Sequence, residues 1–100
     1  GVGIEKRFFV YILASERNGT LYIGVTSDLV KRVWEHKQGV ADGFTKKHAV
    51  KDLVYFEIFE DAENGIHREK RLKKYTRKAK LKLIEKDNPD WIDLYTTVIT

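Results

Sequence analysis

Phe8-Phe9-Val10-Tyr11-Ile12-Leu13-Ala14, the pair Asn18-Gly19, and Leu21-Tyr22-Ile23-Gly24-Val25 together decide the fold. The first segment is aromatic and branched and is apolar on both alternations, as a central strand covered on both faces requires. Asn and Gly tolerate positive φ, so Asn18-Gly19 predicts a hairpin turn that brings the chain back as a second, antiparallel strand. Such a turn pairs odd positions with even ones, which sets Tyr11 and Tyr22 on the same face of the sheet. Taken singly, each tyrosine is ordinary packing. Together they are placed to line one cleft.

Downstream, Ser27 or Asp28 caps a helix that runs from Leu29 to about Gln38 and stops at Gly39. Leu29, Val30, Val33 and Trp34 make its predicted apolar stripe, with Arg32 and His36 one above the other at the edge. Gly39 to His48 has no apolar period, carries Lys46-Lys47-His48, and reads as an exposed loop. Leu53 to Phe59 supplies a third strand. Asp61 caps a helix reaching about Lys74, with Asn64-Gly65 weakening its first turns. A further helix spans Arg77 to Asp87 and is ended by Asn88-Pro89, after which Trp91, Leu94 and Tyr95 are expected to dock on the core. The order β-β-α-β-α-α implies an α+β domain: a three-stranded, mainly antiparallel sheet flanked by helices.

Composition agrees with one such unit. One hundred residues, 42% of them hydrophobic, suffice for a single core. The expected domain is 8–95, with 1–7 a flexible N-terminal segment and 96–100 a tail. The absence of cysteine excludes disulfides, thiolate zinc sites, redox motifs and cysteine nucleophiles together, so any metal must be held by oxygen or imidazole. No apolar run approaches the roughly 20 residues of a spanning helix and no secretory pattern opens the chain. The expectation is a soluble, cytoplasmic monomer. With Gly1 first and no methionine, a processed or tag-derived N-terminus is expected, and residues 1–6 carry no weight.

The net charge of +4 and the pI near 9.3 favour a polyanionic partner only modestly, because the charge is unevenly placed. Nine Lys or Arg residues and one acid, Glu69, lie between Arg68 and Lys82, whereas Glu57 to Glu63 holds four acids and no base. A solvated helix face is the plain reading of the basic run. Glu69 complicates it. At about 100° per residue, Ala62, Ile66, Glu69 and Leu72 share an arc of about 120°, so the one acid lies on the predicted buried face. His67, Arg68, Lys70, Arg71 and Lys74 lie on the far side. A carboxylate at the edge of a core needs a cation, a hydrogen-bonding partner or a metal ion. An ion pair with an arginine such as Arg32 answers that need. So does Mg²⁺, which keeps several waters and is commonly held by one carboxylate plus substrate phosphate.

Val10-Tyr11-Ile12, then Tyr22-Ile23-Gly24, then Arg32, His36 and Glu69 resemble the pattern of the GIY-YIG nucleases across nearly the whole chain. The second motif matches letter for letter. The first keeps its tyrosine but reads Val-Tyr-Ile where the family reads Gly-Ile-Tyr. The resemblance implies hydrolysis of a phosphodiester by water with one divalent metal, Mg²⁺ or Mn²⁺. It implies Glu69 as metal ligand and Arg32 as the group that offsets phosphate charge. Tyr11 is implied as general base, and Tyr22 and His36 as residues that position water or assist proton transfer. A phenol needs a nearby cation to act as a base at neutral pH, and His36 is the alternative proton acceptor. Some relatives have lysine after the second motif, where this chain has Val25, with Lys31 as a substitute. An asparagine found downstream in some larger relatives has no match, since Asn88 is explained as a helix terminator.

The expected substrate is DNA, with RNA also open, selected by shape in a repair or recombination setting. Phosphate contacts are expected from Lys31, Lys46, Lys47, Arg68, Lys70, Arg71, Lys73, Lys74, Arg77 and Lys78. The second reading is a nucleic-acid-binding module that does not cleave, or cleaves only with a protein partner. A third, a protein-interaction domain using the aromatic C-terminus, leaves Glu69 without a reason.

Overall fold

The computed structural model describes residues 7–39 and 49–99. Three strands, β1 (Phe8–Ala14), β2 (Leu21–Thr26) and β3 (Asp52–Phe59), form one antiparallel sheet in the order β2-β1-β3. The apolar-on-both-alternations strand is the central one, and Val10 to Ala14 are all buried. Four helices complete the described chain: α1 (Leu29–Lys37), α2 (Ala62–Lys73), α3 (Arg77–Asp87) and the short α4 (Tyr95–Val98).

The hairpin register is Tyr11↔Gly24 and Leu13↔Tyr22, so the two tyrosines share a face as diagonal neighbours. The parity is the predicted one, but the turn is wider than two residues. Ser15 N–H bonds Thr20 O and Gly19 N–H bonds Glu16 O, with Asn18 at φ 59°. Asn18 therefore takes the left-handed position of a four-residue loop.

Two clusters sandwich the sheet. On one face Tyr11, Leu13 and Leu53 pack with Leu29 and Val33 of α1, and on the other Val10, Ile12, Ile23 and Val54 pack with Leu72 of α2 and Ile84 of α3. Two caps fall where the sequence puts them, with Asp28 accepting from Lys31 N–H and Asp61 from Asn64 N–H; the sequence reading passes over Thr76, which accepts from Ala79 N–H. Gly39, at φ 74°, follows the end of α1 in the left-handed region. Asn88 is buried at the end of α3, where its amide donates to Val54 O and Ile92 O and accepts from Ile92 N–H. The segment after it rounds the β3 edge. Trp91 packs with the α2 side, while Leu94 donates to Leu53 O and packs with Tyr95 on the α1 side. Asp93 fastens the crossing by accepting from Leu53 N–H and pairing with Lys37.

Three sequence expectations are corrected. The buried stripe of α1 is Leu29, Val33 and His36, while Val30 is 37% and Trp34 49% exposed. On α2 the face toward the sheet runs through Gly65, Arg68, Glu69 and Leu72, and Ile66 points outward. Gly65 is the buried residue of this face, set opposite Val25, Phe8 and Phe59. Finally, residues 96–98, predicted as tail, belong to α4 and Val98 packs on the α1-side cluster.

Candidate active site

Tyr11 stands at the centre of the sheet, 1% exposed, with its ring across Gly24 of the neighbouring strand. One turn of α1 carries Arg32 and the next His36, and the burial of Leu29 and Val33 turns both toward the tyrosine face. Tyr11 Oη and His36 Nε2 are 3.4 Å apart, and His36 is itself 1% exposed. The rings of Tyr11, Tyr22 and His36 form a triangle with centroid separations of 6.3, 6.1 and 5.3 Å. Hydrogen bonding to Tyr11 raises the Arg32 pKa, with burial opposing and Glu35 and Tyr22 adding to the rise. The guanidinium is thus the hub between both tyrosines and Glu35, to which it also pairs at 3.3 Å. Glu35 is a member that the sequence reading passes over, although its i,i+3 spacing from Arg32 is the signal for it.

Four of the five expected catalytic side chains therefore meet on the α1 face. Glu69 comes from the opposite layer. Its carboxylate is 16% exposed and pairs with Lys73 Nζ at 3.2 Å, in place of the predicted Arg32. Among the described residues no group of three or more His, Cys, Asp or Glu is arranged to hold a metal, so a protein-only cage is not available there. A partly open single carboxylate that already holds a cation does fit Mg²⁺, which takes its remaining ligands from water and substrate. The two layers approach around the β2 edge. There an open groove of about 280 Å³ is lined by Leu21, Tyr22, Ile23, Lys73 and Lys80, so the lysine bound to Glu69 and the tyrosine bound to Arg32 face the same space.

The basic residues divide by partner. Arg68 faces the sheet, and its Nε and Nη2 each donate to Glu57 of β3 at 2.9 Å, while Nη1 reaches Tyr75 Oη at 3.3 Å. Glu57 also accepts from Tyr55 Oη. Burial alone would raise the Glu57 pKa, but the bonds from Arg68 and Tyr55 outweigh it and hold the group below its ordinary value. Burial and the Glu57 carboxylate push the Tyr55 phenol up. The expectation that Arg68 binds phosphate is corrected: its fork is engaged inside the fold by an acid that alternates with Tyr55 and Phe59 on the covered face of β3. Arg77 is also engaged, donating to Asn18 O at 2.5 Å and Gly19 O at 2.7 Å. Lys31, Lys70, Arg71, Lys73, Lys74 and Lys78 are exposed, and Lys46 and Lys47 lie outside the described residues. Val25 packs 3.4 Å from where a Gly65 Cβ would stand, so the position after the second motif serves the α2 contact.

Residues 7–82 match the family described as the GIY-YIG catalytic domain, a span that includes every expected catalytic position. The chain belongs to the GIY-YIG family. Membership places it among nucleases. Curated relatives are similar over most of the same GIY-YIG span. The UPF0213 protein of Staphylococcus aureus strain Mu3 and the UPF0213 protein MW0443 of strain MW2 are each 39% identical over 77 residues, 77% of this chain and 93% of the relative. A solution NMR structure of the UPF0213 protein BH0048 from Bacillus halodurans shares the fold with a TM-score of 0.55 and 26% identity, covering 94% of this chain and 97% of that one. No helix among the described residues of this GIY-YIG chain is long and apolar enough to cross a membrane.

Proposed function

We propose that the chain is a metal-dependent endonuclease that hydrolyses DNA phosphodiesters and selects its substrate by shape, as branched, flapped or nicked DNA. The observation that carries this reading is the Arg32 guanidinium held between Tyr11 and Tyr22 with His36 against both rings. A cation so placed offsets the charge that develops on phosphoryl oxygens. It also gives Tyr11 the neighbour that a phenol needs to act as a base. In this scheme Tyr11 Oη takes a proton from the attacking water and His36 Nε2, 3.4 Å away, receives it in turn. Tyr22, half-buried at the groove, orients the substrate. Mg²⁺ or Mn²⁺ on Glu69, when bound, supplies Lewis-acid stabilisation of the same oxygens. Exposed Lys31, Lys70, Arg71, Lys73, Lys74 and Lys78 give a sequence-independent field, to which Lys46 and Lys47 add charge. The domain's size suits a cytoplasmic monomer acting on DNA damage or recombination intermediates.

The Glu69–Lys73 ion pair is the observation that favours the second reading, a binding module that does not cleave or needs a protein partner. Labelled branched and nicked DNA, with matched RNA, incubated with Mg²⁺ or Mn²⁺ separates the two. Cleavage by the wild type and its loss in Glu69→Ala support the nuclease. Equal cleavage by both proteins removes Glu69 as the ligand, and absence of Mn²⁺ broadening at Glu69 resonances returns that residue to a structural pair.

A further inference from the structure

We propose that the groove along the outer edge of β2 is a phosphate subsite for the nucleic-acid strand, with Lys73 and Lys80 as its cationic contacts. It rests on the nuclease reading only for the identity of the strand. Lys80 has no role in the scheme above, and nothing local in the sequence distinguishes it from the other lysines of the basic run. The fold does so. Lys73 closes α2, Lys80 lies one turn inside α3, and the connection between them, capped by Thr76, folds both toward β2. Two cations from different helices facing one groove cannot be a single solvated helix face.

The remaining lining suits the rest of a nucleotide. Leu21 and Ile23 give apolar walls for sugar carbons, and Tyr22 gives a half-buried ring at the boundary with the Arg32 cluster. A strand lying here has one phosphate at Lys73 and the next stretch of backbone at Tyr22. Charge complementarity is local as well as general. Arg68 is held by Glu57 and Arg77 by the hairpin carbonyls, and the cations that line the groove are Lys73 and Lys80. Lys73 is kept over the groove by Glu69, and because an ammonium has three donors, one carboxylate contact leaves others for the phosphate beside it. Arg77 has a supporting part: by holding Asn18 and Gly19 it fixes the hairpin loop at the end of the same edge.

The test measures binding without turnover. Fluorescence anisotropy with labelled nicked DNA in EDTA, over a range of salt, compares wild type with K73M/K80M, K73R/K80R and K51M/K86M. The last pair removes the same charge from exposed lysines that do not line the groove. Two lost phosphate contacts lower the slope of log affinity against log salt by about 1.4 to 1.8 and weaken binding about tenfold or more at 0.1 M salt. The arginine pair retains binding, and K51M/K86M stays within about twofold of wild type. Equal losses in K73M/K80M and K51M/K86M overturn the subsite in favour of a uniform field, as does failure of the arginine pair with its fold intact by circular dichroism. Cleavage in Mg²⁺ is scored separately. A wild type that binds with the predicted lysine dependence yet cleaves nothing keeps the subsite and loses the nuclease, and one that cleaves without that dependence does the reverse. A wild type that binds no nucleic acid overturns both.

Discussion

Tyr11 occupies the space that a side chain on Gly24 would need: a Cβ built there would stand 2.5 Å from the Tyr11 hydroxyl oxygen and 2.7 Å from Cζ. The glycine of the Tyr22-Ile23-Gly24 motif is thus explained by the tyrosine of the other strand, its partner in register. Gly24→Ala forces the ring from a position that is 1% exposed and packed by His36, where it has little room to move. Overpacking of this kind costs about 1 to 3 kcal/mol. Urea unfolding will show that loss. Single-turnover cleavage will fall by about 100-fold in the fraction that remains folded, because a displacement of about 1 Å is enough to misalign a proton acceptor.

Gly65 gives the opposite result. A Cβ there would meet Val25 at 3.4 Å, Phe8 at 3.5 Å and Phe59 at 4.0 Å, which are ordinary packing distances, and its backbone is helical. Gly65→Ala removes the helix-interior glycine without a clash, so α2 gains about 0.5 to 1 kcal/mol. A higher urea midpoint with unchanged slope checks this, and a lower midpoint would show that the sheet does not accommodate the added methyl.

Arg68 is expected to act on stability where its neighbours act on binding. Arg68→Met leaves Glu57 without its fork in a site where both side chains are about one-fifth exposed, at 21% and 22%. The expected loss is about 1 to 3 kcal/mol, below that of a fully buried pair because water still reaches the group. Lys70→Met, on the exposed face, changes stability by less than about 0.5 kcal/mol. The pH dependence follows from the depressed Glu57 pKa. The unfolded state then binds the proton more readily than the native state. The stabilisation is complete above the unfolded value and is lost as pH falls through the lower folded one. Glu57→Gln therefore starts less stable at neutral pH and loses less than wild type between about pH 5 and pH 3.

These residues also mark where sequence patterning stops. Strand periodicity, the caps at Asp28 and Asp61, and the odd-even parity of the hairpin are local properties, and the periodicity and parity place β1 in the centre and Tyr11 and Tyr22 on a shared face. The buried faces of α1 and α2 are not local. A wheel weighted by hydrophobicity turns Trp34 and Ile66 inward, yet the fold buries His36 among the tyrosines and sets Gly65 against the sheet. Arg68 faces inward because an acid eleven positions away, on β3, receives it. Arg77 is engaged by carbonyls 58 and 59 positions away, which no helical period encodes. The inward placement of Glu69 is legible because it shares a helical arc with Ala62 and Leu72, and its partner Lys73, at i,i+4, is the ordinary helix pairing.

Tyr11 and His36 are expected to behave as one unit. Their polar atoms are 3.4 Å apart, both side chains are buried, and Arg32 bonds the same tyrosine. If the proton of the attacking water passes to Tyr11 Oη and on to His36 Nε2, removing either member breaks one path. Tyr11→Phe and His36→Gln should then each lower single-turnover cleavage by about 100- to 10,000-fold, the usual contribution of a positioned proton acceptor. The double variant should lose no more than the worse single, since groups that act in series are not additive. Losses that multiply in the double variant would instead assign the two residues separate tasks, with Tyr11 as base and His36 acting on the leaving group.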